Sequence, residues 1–96
     1  MKENKNLKWQ LEDCTYLLEE VINNYKYIDF TELKKSIANH IGVTQGSVNL
    51  AIANYIFLLS DGKKGLSSST FRQREATNLT LEKHGFSKSK LLSILS

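Results

Sequence analysis

The chain has no proline, one cysteine, one tryptophan, one methionine and five glycines in 96 residues. So few breakers, and so few runs of alternating apolar and polar residues, favour helices over a multi-stranded sheet. Cys14 has no second cysteine to pair with and falls on an apolar helical stripe, which suits a reducing compartment. His40 and His84 are the only histidines, and neither has a cysteine or second histidine at ligand spacing, so no metal is expected. No glycine pattern matches a phosphate loop, and the serine-rich runs lack a paired base. An enzyme is therefore not expected, nor a cofactor. The longest apolar run, Leu50 to Leu59, is interrupted by Asn54 and too short to span a bilayer, and the opening MKENKNLK has no apolar core for a signal peptide. A cytoplasmic location follows as an expectation, with no membrane partner. At this length, 41% hydrophobic content accommodates one small core but no deep catalytic cleft beside its scaffold.

Charge is unevenly placed. The formal net charge is +3, yet residues 1–33 carry four Lys against seven Asp or Glu. Residues 34–64 carry four Lys against one Asp, and residues 65–96 carry five Lys or Arg against two Glu. The basic surplus begins at Lys34. This suits a polyanionic partner for the later part of the chain and argues against mimicry of DNA by the whole protein. A merely solvated, lysine-rich surface would give the same count.

What is present is concentrated in residues 34–53, KKSIANHIGVTQGSVNLAIA. Ile37 and Ile41 fall on one face of a helix, and Val48 and Ala51 fall where a following helix would meet that face steeply. Ala38 is small enough to let two helices cross closely. Gly42 stands where the first of them must stop with a positive φ, and Val43 plugs the turn. Thr44 can cap the next helix, with Val43 and Val48 as a hydrophobic staple. This is the residue pattern of a helix-turn-helix.

Around it, Leu11, Cys14, Leu18, Val21 and Tyr25 form the stripe of a first amphipathic helix over about 9–25, leaving Glu12, Asp13, Glu19 and Glu20 as a solvated face. Trp9 is expected to pack the start of that helix against the domain. Residues 23–27 read as a connection. Asp29 with Glu32 forms a capping box for the second helix, whose buried stripe is Phe30, Leu33, Ile37 and Ile41, with Lys34 and Lys35 outward. The third helix is predicted over about 45–58, with Val48, Ala51, Ile52, Tyr55 and Leu59 inward and Thr44, Gln45, Ser47, Asn49, Leu50, Ala53 and Asn54 on the open side. No residue from Thr44 to Ser60 is charged. Residues 60–69, SDGKKGLSSS, permit either a short wing-like hairpin or an irregular loop, with Lys63 and Lys64 at its tip. A fourth helix begins near Ser69 or Thr70, carries Arg72 and Arg74 in its first turns and ends at Gly85. Ser87 caps a last helix, with Phe86 and Leu91 as staple. Its Leu91, Leu92 and Leu95 either close the core or form a dimer contact. The whole reads as one all-α helix-turn-helix domain, residues 1–96, of about five helices.

The segment 41–52, IGVTQGSVNLAI, resembles the helix-turn-helix of Cro and repressor proteins of temperate phages. The resemblance implies that Thr44, Gln45, Ser47 and Asn49 face the major groove and that Lys34 lies against the backbone. It covers about a fifth of the chain. A longer pattern resembles the helical region that precedes the catalytic domain in some HNH-endonuclease-like proteins. It comprises Trp9 with Glu12 and Asp13, Tyr25, Ile41 with Gly42, 46–48, Asn54 with Tyr55, Leu58, 65–67 and Arg74. With two histidines and no ββα-metal unit, that resemblance implies a freestanding recognition or interaction module without nuclease activity.

The expectation is a small sequence-specific DNA-binding protein, of the phage or bacterial transcription-regulator kind, with its third helix in the major groove of double-stranded DNA. Its DNA-binding residues would be Lys34, Lys35, Thr44, Gln45, Ser47, Asn49, Leu50, Asn54, Lys63, Lys64, Arg72 and Arg74. The alternative is a protein-binding module on the same fold, such as a phage-encoded inhibitor of a host nuclease or polymerase.

Overall fold

Each helix begins or ends where a side chain or a tight backbone turn satisfies hydrogen-bonding groups that the helix leaves unpaired. The computed structural model describes residues 9–65 and 71–96. In it the chain forms α1 (Leu11–Asn24), α2 (Phe30–Ile41), α3 (Gln45–Leu59), α4 (Phe71–His84) and α5 (Lys88–Leu95). No strand occurs among the described residues, and the fold is all-α. At helix starts, Asp29 Oδ2 accepts from the Thr31 amide at 3.1 Å, Thr44 Oγ1 from the Ser47 amide at 3.1 Å, and Ser87 Oγ from the Lys90 amide at 3.1 Å. Asp13 reaches back to the Gln10 amide at 3.0 Å. Glu32 does not complete the box expected with Asp29; its carboxylate takes Lys35 Nζ at 3.4 Å instead.

The ends of α2, α3 and α4 use one device. The amide of Val43 reaches the Ala38 carbonyl at 3.0 Å, that of Gly62 reaches Phe57 at 2.8 Å, and that of Phe86 reaches Leu81 at 3.0 Å. Each closure needs a left-handed residue just before it. Gly42 and Gly85 supply two, with φ of 87° and 67°, and Asp61 supplies the third with φ 57°. Aspartate tolerates that region better than most residues. Here its carboxylate also accepts from Lys88 Nζ at 2.9 Å, which ties the end of α3 to the start of α5. The hydrogen bond and charge of Lys88 hold the Asp61 carboxyl below its ordinary range.

α3 is the central helix, packed on α2, α4 and α5. Its Val48, Ala51, Ile52, Tyr55 and Leu59 are all buried, as the periodicity predicts. Tyr55 is completely buried, and its hydroxyl donates to the Cys14 carbonyl at 3.5 Å. α1 contributes Cys14, Leu17, Leu18 and Val21. Leu17 lies outside the stripe expected for this helix, because α1 is covered by both α2 and α4 and buries a wider arc. α1 and α4 run side by side in the same direction. Leu11 shares a hollow with Phe71, Arg72 and Glu75 at one end, and Glu19 meets Lys83 and His84 at the other. α5 packs on α3 and α1 with Leu91 and Leu95 buried, so its apolar face closes the core.

The chain from 61 to 65 is an irregular turn, not a strand. Whether 66–69 continue it, and whether Thr70 caps α4, are questions on residues outside those described. No single helix among the described residues is long and apolar enough to cross a membrane.

Candidate nucleic-acid interface

α2 and α3 bend by 108° across the turn 42–44, the steep crossing that the small residue Ala38 was expected to permit. Ala38 is 4% exposed at that crossing, with Ile37 and Val48 fully buried. Its carbonyl accepts from both Gly42 at 2.8 Å and Val43 at 3.0 Å, so the end of α2 and the turn are fixed through one residue. Thr44 then starts α3. Its hydroxyl is held by the cap, which leaves the helix's first turns to present other side chains. Asn49 is exposed, Leu50 is 57% exposed and Gln45 is half-buried. The result is an uncharged surface of two amides and one aliphatic side chain at the N-terminal half of α3.

Three residues expected on this surface are placed differently. Asn54 is buried, at 8% exposure. A helix contacted by three others hides more than one stripe, and Asn54 stands at the edge of the widened arc, about 60° past Ala51 on the side away from Tyr55. It is not a surface contact residue. Ser47 is half-buried, and its Oγ accepts from the Trp9 indole Nε1 at 3.3 Å. Trp9 thus packs the start of α1 against the domain, and it does so on the first turn of α3. Ala53 is half-buried as well, because the chain turns back across α3 after residue 62. A Cβ on Gly65 (φ 82°) would strike the Ala53 carbonyl and lie 2.8 Å from the Phe57 amide nitrogen. Only glycine fits that close approach. The turn therefore covers the second half of α3's outer side and leaves the first two turns open.

The cations fall in three places. On α2, Lys34 Nζ lies 5.1 Å from the Phe30 ring centroid, and Lys35 pairs with Glu32; the Lys35 side chain is 54% exposed. Lys63 and Lys64 are exposed in the turn after α3, where the Lys64 amide donates to Ser60 Oγ at 3.0 Å. Arg72 is exposed beside Leu11 near the start of α1. Arg74 lines an open crevice with Phe57, Leu58, Asp61 and Lys88. Since α3 is roughly 22 Å long at 1.5 Å per residue, Lys63, Lys64 and Arg74 stand at the opposite end of it from Gln45. The six expected phosphate contacts thus do not form one continuous stripe beside the open turns.

Some pairings were invisible in the sequence. His40 is exposed and stacks on Tyr16, with ring centroids 4.1 Å apart and planes inclined by 18°. Glu19 was expected on a solvated face. The fold brings His84 to it across 65 positions, with Nε2 at 3.0 and 2.9 Å from the two carboxylate oxygens, and Lys83 Nζ at 3.4 Å. The parallel packing of α1 on α4 creates this cluster, and local periodicity gives no sign of it. No group of three or more His, Cys, Asp or Glu able to hold a metal occurs among the described residues. Burial pushes the Cys14 thiol up from its ordinary value, and pushes the Tyr55 hydroxyl well up. Neither group is an activated nucleophile.

No family model matches this chain, and no curated protein or solved structure matches it.

Proposed function

We propose that the protein is a small sequence-specific DNA-binding protein, of the phage or bacterial transcription-regulator kind, which lays the first two turns of α3 in the major groove. The observation that carries this reading is the uncharged surface of exposed Asn49 and Leu50 with half-buried Gln45, at the start of a helix set at 108° to its predecessor. An amide side chain can both donate and accept at the adenine edge, and an aliphatic one meets the thymine methyl. With no arginine in α3 to pair with guanine, base choice rests on Gln45, Asn49 and Leu50 and favours sites containing A·T pairs. Ser47, which already accepts from Trp9, positions the helix rather than reading a base.

Phosphate contacts fall to Lys34 and Lys35 on α2, and to Lys63, Lys64 and Arg72 at the margins. Neutralising phosphates releases counterions, so binding to any duplex weakens steeply as salt rises. The test compares Gln45→Ala with Lys35→Ala, each titrated on a selected site and on random duplex at one salt concentration. Gln45→Ala should weaken binding to the selected site by about 1–3 kcal/mol and change random binding little. Lys35→Ala should weaken both together. Absence of duplex binding at low salt would end this reading. The exposed Leu50 on an arginine- and lysine-free helix favours a second reading in that event, in which the same face docks a protein such as a host nuclease or polymerase.

A further inference from the structure

We propose that the crevice between the end of α3, α4 and the start of α5 binds a small aromatic oxyanion, a planar ring that bears a carboxylate or a phosphate. It has a volume of about 380 Å³, the size of a small-molecule site, and lies at the opposite end of α3 from Gln45. The site is independent of the DNA reading. Arg74, expected on DNA phosphates, lines this crevice instead. It is exposed and forms no ion pair with another described residue.

The charge balance selects an anion. Lys88 and Asp61 answer each other at 2.9 Å, and Lys63 adds its charge to Asp61 from the turn, so the one carboxylate of the crevice is matched and the charge of Arg74 is not. Glu75 and Glu82 fall in a separate hollow on the other side of Arg74. Arginine presents paired N–H donors that fit two oxygens of one carboxylate or phosphate at once. One turn further along α4, the side-chain amide of Asn78 also lines the crevice and hydrogen-bonds no described residue, which sets a neutral donor beside the cation. Phe57 selects the ring. A Cβ on Gly62 would stand 3.3 Å from its ring carbon Cζ, and the Gly62 amide donates to its carbonyl at 2.8 Å, so the turn braces this half-buried ring as one wall. A flat aromatic body can pack on it, offset or edge-on. Ring and cation stand on α3 and α4, whose packing on each other fixes the crevice before any ligand enters.

The test is a heteronuclear NMR titration of the full chain with phenyl phosphate, benzoate and inorganic phosphate. The first two should shift the amides of Phe57, Gly62 and Asn78 saturably, with a Kd on the order of 1 mM for ligands of so few atoms. The tighter of them identifies the charged group. Inorganic phosphate, which has no ring, should bind at least about tenfold more weakly. Arg74→Gln should weaken the tighter ring ligand by about tenfold or more. Arg72→Gln, exposed on the same helix but outside the crevice, should leave its binding unchanged. The spectrum of each variant reports its fold. The proposal is overturned if neither ring ligand saturates by about 20 mM, well above the expected Kd. It is overturned equally if inorganic phosphate binds as tightly as the ring ligands, or if the two arginine variants weaken binding alike.

Discussion

Replacing Ala38 by leucine tests the helix crossing on which the interface rests. The position is 4% exposed, and the helices on either side of it diverge by 108°. Three added carbons have nowhere to go unless α2 and α3 separate, and separation is opposed locally. The Ala38 carbonyl holds the amides of Gly42 and Val43, so retreat of the α2 terminus strains both hydrogen bonds. Overpacking of this kind costs about 1–3 kcal/mol. A domain of this length has roughly 5–14 kcal/mol of stability in all. For a chain of this size each kcal/mol lowers the melting temperature by about 4–8 °C, so Ala38→Leu should melt roughly 4–24 °C below the native protein. The assay is thermal unfolding followed by far-UV circular dichroism, with Asn49→Ala as the control. Asn49 is exposed and its truncation should leave the melt unchanged. A leucine variant that melts with the native protein would mean that Ala38 does not sit at a close crossing, and the geometry given to α3 would fall with it.

Thr80 Oγ1 is buried with no hydrogen-bond partner among the described residues. Thr80→Val, of nearly the same shape, should therefore raise stability by up to about 1 kcal/mol, read as a higher urea midpoint at unchanged slope; a loss of stability would show that the hydroxyl is satisfied in solution. The second expectation concerns alkaline pH. The Cys14 thiol has its value raised by burial, so above the ordinary thiol value the unfolded chain releases a proton that the folded chain keeps. Stability is whole below that value, falls as pH rises from about 8.5, and levels only past the raised value in the folded state. Urea midpoints measured across this range should fall less steeply for Cys14→Ala than for the native chain, and parallel slopes would remove Cys14 as the cause.

The parts of the fold that were legible in the sequence are those written in short-range chemistry. Gly42, Thr44 and Ser87 mark helix ends through their own backbone needs, and the i, i+3, i+4 spacing of Val48, Ala51, Ile52, Tyr55 and Leu59 places α3. Leu17 and Asn54 were misjudged for one reason. A single stripe describes a helix with one neighbour, whereas α1 and α3 are enclosed by several, and no residue announces how wide its helix's buried arc will be. α4 shows the reverse difficulty: its inward side is Gln73, Ala76, Thr77 and Thr80, too polar to register as a stripe. The Glu19–His84 contact and the reach of Trp9 to Ser47 join positions 65 and 38 apart and exist only once helices are packed. The candidate interface was legible at Gln45, Asn49 and Leu50. The scatter of its cations was not, because where a lysine stands depends on how the turn at 61–65 folds over α3.

The indole of Trp9, the chain's one tryptophan, donates to a hydroxyl on the first turn of α3. The molecule thus carries its own fluorophore one hydrogen bond from the surface proposed to meet a partner. Any ligand that shifts Ser47, or strips water from the half-buried ring beside it, should alter the emission of a single, unambiguous chromophore. Occupancy of α3 can then be followed by light alone, without a label and before anything is known of which partner occupies it.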